Sequence, residues 1–223
     1  MSARRLLQLQ AASGLTFLLF AAVHLANTAA AVGGPETYNG LQQSLRAVYQ
    51  FPGVELLLIF LPLSIHVAAA IVRLRRNGFR RPHQGWRTRL HRYTGYYLLV
   101  FIAGHTLATR GASVVYGVYP EFEGLSFTLW WIPAFFYPYY IALALSGLYH
   151  GANGLLIALS TFSRPVPDRI RQGWGFWVPV GFVAVALVLG LLALGGKLFE
   201  IQNPTDSEYA RLWELEFGVD LDR

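Results

Sequence analysis

The 223-residue chain has no cysteine, which removes disulfides, thiolate metal ligands, cysteine-bound iron–sulfur clusters and cysteine nucleophiles together. Any redox centre held by the chain itself must then use histidine. Charge is scarce as well: 13% of residues are Asp, Glu, Lys or Arg, against 54% hydrophobic and a mean hydropathy of +0.40. That balance lies outside the range of an ordinary soluble domain and points to a membrane protein. No loop is long enough for a soluble catalytic domain, and no internal repeat or low-complexity segment stands out. The net charge of +6 and pI near 9.8 do not argue for nucleic acid, because the basic residues collect in short loops beside apolar runs, where they set orientation in a bilayer.

What is present is a series of five apolar runs, approximately Leu9 to Val32, Val54 to Leu74, Leu90 to Thr109, Phe127 to Ser160 and Phe176 to Phe199. Each is long enough to cross about 30 Å of hydrocarbon as a helix. The expected fold is an all-α integral membrane bundle of five transmembrane helices, a single domain over residues 1–223. Arg4 and Arg5 before the first run imitate a signal peptide, but that run is too long for a cleaved segment and carries His24 and Asn27, so it reads as a retained helix. The fourth run exceeds one crossing, and Pro133 and Pro138 predict a kink in its first third. Aromatic clusters at Trp130 and Trp131, at Tyr137, Tyr139 and Tyr140, and at Trp174 and Trp177 read as interfacial anchors.

The basic residues fix the direction. Arg4 and Arg5, then Arg73, Arg75, Arg76, Arg80, Arg81, Arg87, Arg89 and Arg92, then Arg164, Arg169 and Arg171 place 13 of the 18 Lys and Arg on one side. Arg46, Arg110, Lys197, Arg211 and Arg223 fall on the other, with most of the acids, including Glu36, Glu121, Glu123, Glu208, Glu214 and Glu216. The positive-inside rule then puts the N-terminus in the cytoplasm and the C-terminus outside. A cell inner (cytoplasmic) membrane is the expected location.

Four of the six histidines, His24, His66, His105 and His150, lie one in each of the first four runs. At about 1.5 Å per residue, His24 and His105 sit roughly 22 Å from the cytoplasmic edge, and His66 and His150 roughly 12 to 15 Å from it. The four therefore fall into two pairs at two depths. A low-spin haem b takes two neutral imidazoles on opposite faces of its iron, so two bis-histidine haems account for the pairs. Taken singly, an intramembrane histidine is more often a packing residue or a proton relay. Gly14, Gly95, Gly104, Gly147, Gly151 and Gly154 beside these histidines leave room for a porphyrin, or simply permit close helix packing. His83, in the basic RRPHQGWR loop, reads as solvated or partner-facing. Arg89, His91 and Arg92 are candidate contacts for the propionates of the inner haem and Arg110 for those of the outer one, although topology alone also explains the arginines.

In these features the chain resembles the five-helix, dihaem cytochrome b subunit that anchors succinate:quinone oxidoreductases. The matching segments are SGLTFLLFAAVH from Ser13 to His24, His66 in the second run, RYTG from Arg92 to Gly95 followed by His105, and HGANGL from His150 to Leu155. They cover four of the five runs in order. The resemblance implies that His66 and His150 ligate the haem proximal to the soluble subunits, and His24 and His105 the distal haem. It also implies a cytoplasmic flavoprotein with covalent FAD, which carries the dicarboxylate site, and an iron–sulfur protein docked on the basic face. Respiratory electrons from succinate oxidation in the tricarboxylic acid cycle would then reach a membrane quinone, menaquinone by this resemblance, or run in reverse in a quinol:fumarate reductase.

Some members of that family use a Glu in the connection before the second span at the quinone site. Here that connection reads LQQSLRAVYQ, without an acid; Gln42, Gln43, Arg46 and Tyr49 lie in it, and Glu36 and Glu55 flank it. Gln42, Gln43, Arg46, Tyr49 and Glu55 are therefore the candidate quinone contacts. Leu148 stands where some dihaem fumarate reductases carry a proton-path Glu. Two other readings stay open. A dihaem subunit of a nitrate reductase or hydrogenase draws its ligands from fewer helices, and a haem-free transporter would use the histidines as relays. The resemblance leaves room for a higher oligomer of the complex and none for nucleic acid.

Overall fold

The computed structural model describes residues 1–78, 85–163, 166, 167, 170, 173–201 and 203–221. His83, Arg80, Arg81, Arg164, Arg169, Arg171 and Arg223 lie outside the described residues. Among the described residues there is helix and no strand. Five helical stretches among the described residues are long and apolar enough to cross a membrane: Ala3–Tyr49, Pro52–Asn77, Trp86–Tyr116, Pro133–Phe162 and Trp174–Leu194. The first comprises α1 (Ala3–Ala30), a 3-10 turn (Ala31–Gly33) and α2 (Gly34–Tyr49). The second comprises α3 (Pro52–Val54), a π-helical turn (Glu55–Phe60) and α4 (Leu61–Asn77). The third runs from α5 (Trp86–Thr106) through a second π turn (Leu107–Gly111) into α6 (Ala112–Tyr116).

The fourth run departs from the sequence expectation. It is not one kinked crossing from Phe127 to Ser160 but two helices, α7 (Phe122–Trp131) and α8 (Pro133–Phe162). Ile132 has φ −131° and ψ 73°, because a residue before proline is pushed out of the helical region, and Pro133 then starts the next helix, where its missing N–H costs nothing. Pro138, by contrast, is accommodated inside α8. α7 is apolar because it is buried in protein: Phe122, Phe127, Thr128 and Leu129 are essentially inaccessible. Helices α9 (Trp174–Leu194) and α10 (Glu208–Phe217) follow.

The chain forms two compact units. One comprises Met1–His24, Leu45–Leu99 and Ser146–Ala184, the other Leu25–Ser44, Val100–Leu145 and Val185–Arg223. In the second, α10 is capped by Ser207, whose side chain accepts from the Ala210 N–H, and it packs Tyr209, Ala210 and Leu212 against Phe127 and Ala112. Gly124 of α7 lies under the Tyr209 ring, where a Cβ would come within 2.8 Å of the Tyr209 Cβ. The Tyr209 hydroxyl donates to the carbonyl of Ala108 in the second π turn. Asn39 of α2 ties in α7 by donating to Glu123 and accepting from the Phe122 N–H.

Candidate haem-ligand site

In the first unit, α4 carries His66 and α8 carries His150. Their imidazole centres are 6.1 Å apart and the ring planes cross at 85°. Each ring is held by the same device. The Nδ1 of His66 bonds to the backbone carbonyl of Gln10 in α1 at 2.9 Å, and the Nδ1 of His150 to the carbonyl of His91 in α5 at 3.0 Å. A carbonyl accepts only, so Nδ1 carries the proton and Nε2 keeps its lone pair. That is the tautomer and the outer hydrogen bond by which a metal-ligating histidine is oriented.

The spacing fits a shared metal. Two imidazoles bound to opposite sides of one metal, each with a metal–nitrogen bond of about 2 Å, have ring centres about 6.3 Å apart. Among the described residues no group of three or more His, Asp or Glu is placed to hold a bare ion. A haem needs only two protein ligands, because the porphyrin supplies the other four nitrogens, so a pair of imidazoles is a sufficient donor set for one.

Glycine makes the approach of the rings feasible. A Cβ on Gly14 would stand 2.7 Å from the Nδ1 of His66, and one on Gly95 would stand 2.8 Å from the Cε1 of His150. These two glycines clear space for the imidazoles of α4 and α8 rather than for groups on their own helices. Gly151 packs against Leu18 and Gly154 near His91, while a Cβ at Gly104 or Gly147 would meet no protein atom within 4 Å.

The two halves of the site repeat one another. Gln10 and Gly14 stand to His66 as His91 and Gly95 stand to His150. Ser13 donates to the carbonyls of Leu9 and Gln10, and Thr94 donates to those of Leu90 and His91. At the same offset the sequence pairs Leu9 with Leu90, Gly14 with Gly95, Leu18 with Leu99, Phe20 with Phe101, Ala22 with Ala103 and His24 with His105. An internal repeat is therefore present, contrary to the sequence reading. Its signal is Leu, then Ser or Thr four residues on, then Gly, then His ten residues after the glycine.

The other candidates are distributed as follows. His91 stacks on His150, and its own Nδ1 is buried without a hydrogen-bond partner. Arg89 is exposed, while Arg92 donates to the Tyr96 hydroxyl and the Gly78 carbonyl. His24 stacks on Phe20, whose other edge meets Tyr49, so this quinone candidate lies one ring away from His24. Arg46 shares that unit and is half-buried, and Glu55 sits in the first π turn. In the second unit, Gln42 accepts from Asn27, Gln43 is exposed, His105 closes α5, and Arg110 in the second π turn donates to Ser113. π turns recur at functional sites, and both here carry a charged candidate.

The aromatic anchors are partly internal. Trp177 stacks on Trp86 and on Tyr149, and the Arg87 guanidinium lies 4.1 Å over Phe176 while donating to Asn153. Trp174 is 84% exposed. Sequence reasoning missed Gln10 as the carbonyl that holds His66, and it missed Arg73, which donates to the Gln10 side chain. Comparison with protein-family models, curated proteins and solved structures finds no match to this chain, so the reading of the site rests on its own geometry and on the residues named above.

Proposed function

We propose that the chain is the membrane-anchor cytochrome b of a succinate dehydrogenase of the succinate:menaquinone oxidoreductase type, with two b haems passing electrons between a partner iron–sulfur subunit and a membrane quinone. One observation carries the reading: two histidines from separate helices, 6.1 Å apart, each with Nδ1 bonded to a backbone carbonyl. A proton relay would link ring nitrogens to titratable groups. Here the bonds that fix the rings end on amide carbonyls, which do not take up protons near neutral pH.

In this reading His66 and His150 hold the haem nearer the soluble partners, and His24 with His105 hold the second. The equivalence of His24 and His105 in the repeat supports treating them as a pair, as depth in the sequence does. A haem in each place would supply a one-electron carrier; the chain's part is to hold the imidazoles in one tautomer and to exclude water. The flavoprotein with FAD and the iron–sulfur protein would dock on the arginine-rich side, and the dicarboxylate would never touch this chain. Quinol:fumarate reduction is the same chain of carriers run in the opposite direction.

The experiment is a reduced-minus-oxidised spectrum of the purified chain and of the complex that copurifies with it. Two b-type haems are expected, with a flavoprotein and an iron–sulfur protein in the complex. His66→Ala and His24→Ala should each remove one haem and leave the other. Absence of a b-type α band from the wild-type chain would end the haem reading, and partners of another class would end the succinate one.

A further inference from the structure

The repeat around His66 and His150 is informative where it breaks. Gln10 in one half is matched by His91 in the other, and Arg73, seven residues after His66, is matched by Ile157, seven after His150. The symmetry therefore breaks at two matched positions, Gln10 against His91 and Arg73 against Ile157, and only the second sets a charged residue against an apolar one.

Arg73 differs from its neighbours on α4. Arg75 and Arg76 are exposed and Arg76 reaches the Met1 carbonyl, whereas Arg73 is half-buried and donates to the Gln10 side chain. Residues seven apart share one helix face, about 10 Å apart along the axis. Side chains lean toward a helix's N-terminus, so Arg73 leans back toward His66. The Gln10 whose side chain it meets is the residue whose backbone carbonyl holds the Nδ1 of His66. The Nδ1 of His91, whose ring stacks on His150, is buried with no hydrogen-bond partner. The imidazoles of His66, His91 and His150 thus lie together at the site, and the Arg73 guanidinium sits on the residue that holds one of them.

We propose that Arg73 and the Nδ1 of His91 receive a carboxylate there, a propionate of the haem held by His66 and His150, and so fix which edge of the porphyrin faces the C-terminal end of α4. The assignment rests on the haem reading above and adds Arg73 to the candidates, with Gln10 as the residue that positions it. A guanidinium–carboxylate pair is a charge-assisted bond, stronger where water is excluded. Ferric haem carries one more positive charge than ferrous haem, so a cation at this edge favours the ferrous state. Neutralising it has the opposite effect.

The test is a redox titration of the two α bands in the solubilised complex carrying Arg73→Gln or Arg73→Lys, with resonance Raman spectra of the propionate bending band. In Arg73→Gln the ferrous-to-ferric ratio of the inner haem at fixed potential should fall about tenfold, which for a one-electron couple is about 59 mV. The outer haem should stay unchanged, and Arg73→Lys should keep most of the ratio. The propionate band of the inner haem should shift in Arg73→Gln. Should Arg73→Gln fail to assemble, Gln10→Ala reads the same contact: it leaves the charge but frees the guanidinium, so the band should shift with less than a tenfold change in ratio. An unchanged band and ratio in every assembled variant, in a chain whose wild type holds both haems, would overturn this assignment alone. A wild type without haem would overturn the haem reading itself.

Discussion

The imidazole of His91 lies flat on that of His150, with centres 4.1 Å apart and planes 8° from parallel, while the backbone carbonyl of His91 holds the Nδ1 of the same ring. One residue therefore fixes His150 twice, by its face and by its edge. The hydrogen bond sets the tautomer, and the stack sets the rotation of the ring about its own axis, which brings it across the His66 plane at 85°.

That crossing has a spectroscopic consequence. In the haem reading proposed above, two imidazoles at right angles would act equally on the two π-type iron d orbitals that overlap their rings, which would leave those orbitals nearly degenerate and the low-spin signal strongly anisotropic. His91→Ala removes the stack and keeps the carbonyl, so the inner haem should remain bound and its paramagnetic resonance signal should become less anisotropic. His91→Phe restores a flat ring and should restore the signal. If His91→Ala leaves the signal of the inner haem where it was, the stack does not set the plane.

Gly14 and Gly95 test the other restraint. A methyl group at either position would press on an imidazole already tied to a carbonyl, at 2.7 Å from the Nδ1 of His66 and 2.8 Å from the Cε1 of His150. The ring must turn away, and its bond to Gln10 or His91 goes with it. If the proposed haems are bound, Gly14→Ala and Gly95→Ala should each lose most of the inner haem while keeping the outer one, measured as haem per polypeptide. Gly181→Ala, with no neighbour within 4 Å of its added methyl, is the control and should bind two. Full occupancy in Gly14→Ala would show that the His66 ring is not confined as described.

The membrane character of this chain and the histidines in its apolar runs are legible in the sequence, because apolar runs and displaced histidines are local signals. The break at Ile132 and Pro133 is not. Hydropathy cannot distinguish an apolar helix that is buried in protein, as α7 is, from one that faces lipid, and the run continues through the proline without a polar residue. The repeat is present in the sequence but sparse, with identical residues scattered from Leu9 to His24 and from Leu90 to His105, and its shared hydrogen bonds to the Leu9, Gln10, Leu90 and His91 carbonyls appear only in the fold. Arg73 escapes notice for a different reason: the positive-inside rule explains every arginine on that side, so none of them stands out until one is found turned inward on the Gln10 side chain.

Tyr209 ties α10 to the second π turn through the Ala108 carbonyl, and burial pushes its hydroxyl above the ordinary tyrosine value, with a bond to Trp213 opposing part of that shift. Folding holds the proton more tightly than the unfolded chain does. The stability this gives is fully present below the unfolded value of about 10, and it is lost as pH rises through the higher folded value. Tyr209→Phe lacks both the bond and the titration. At neutral pH the variant should be less stable by about 1 kcal/mol, and the gap should narrow in alkaline solution. Thermal unfolding in detergent at about pH 8 and about pH 11 measures it; a gap that widens at the higher pH would contradict the assignment.

Gly190 of α9 faces the backbone of α1, where a Cβ would run into the carbonyl of Thr28 and come within 3.1 Å of the Ala29 Cα. Main chain cannot swing aside as a side chain does, so Gly190→Ala forces the two helices apart rather than rearranging a rotamer. Overpacking of this kind costs about 1 to 3 kcal/mol or more, which outweighs the gain of up to about 1 kcal/mol that alanine brings to a helix interior over glycine. Gly181→Ala lies on the same helix without the collision, so it isolates that gain. The expected order of thermal midpoints is therefore Gly181→Ala at or above the wild type and Gly190→Ala well below it. Equal midpoints for the two variants would mean that α1 and α9 are not in backbone contact at Thr28.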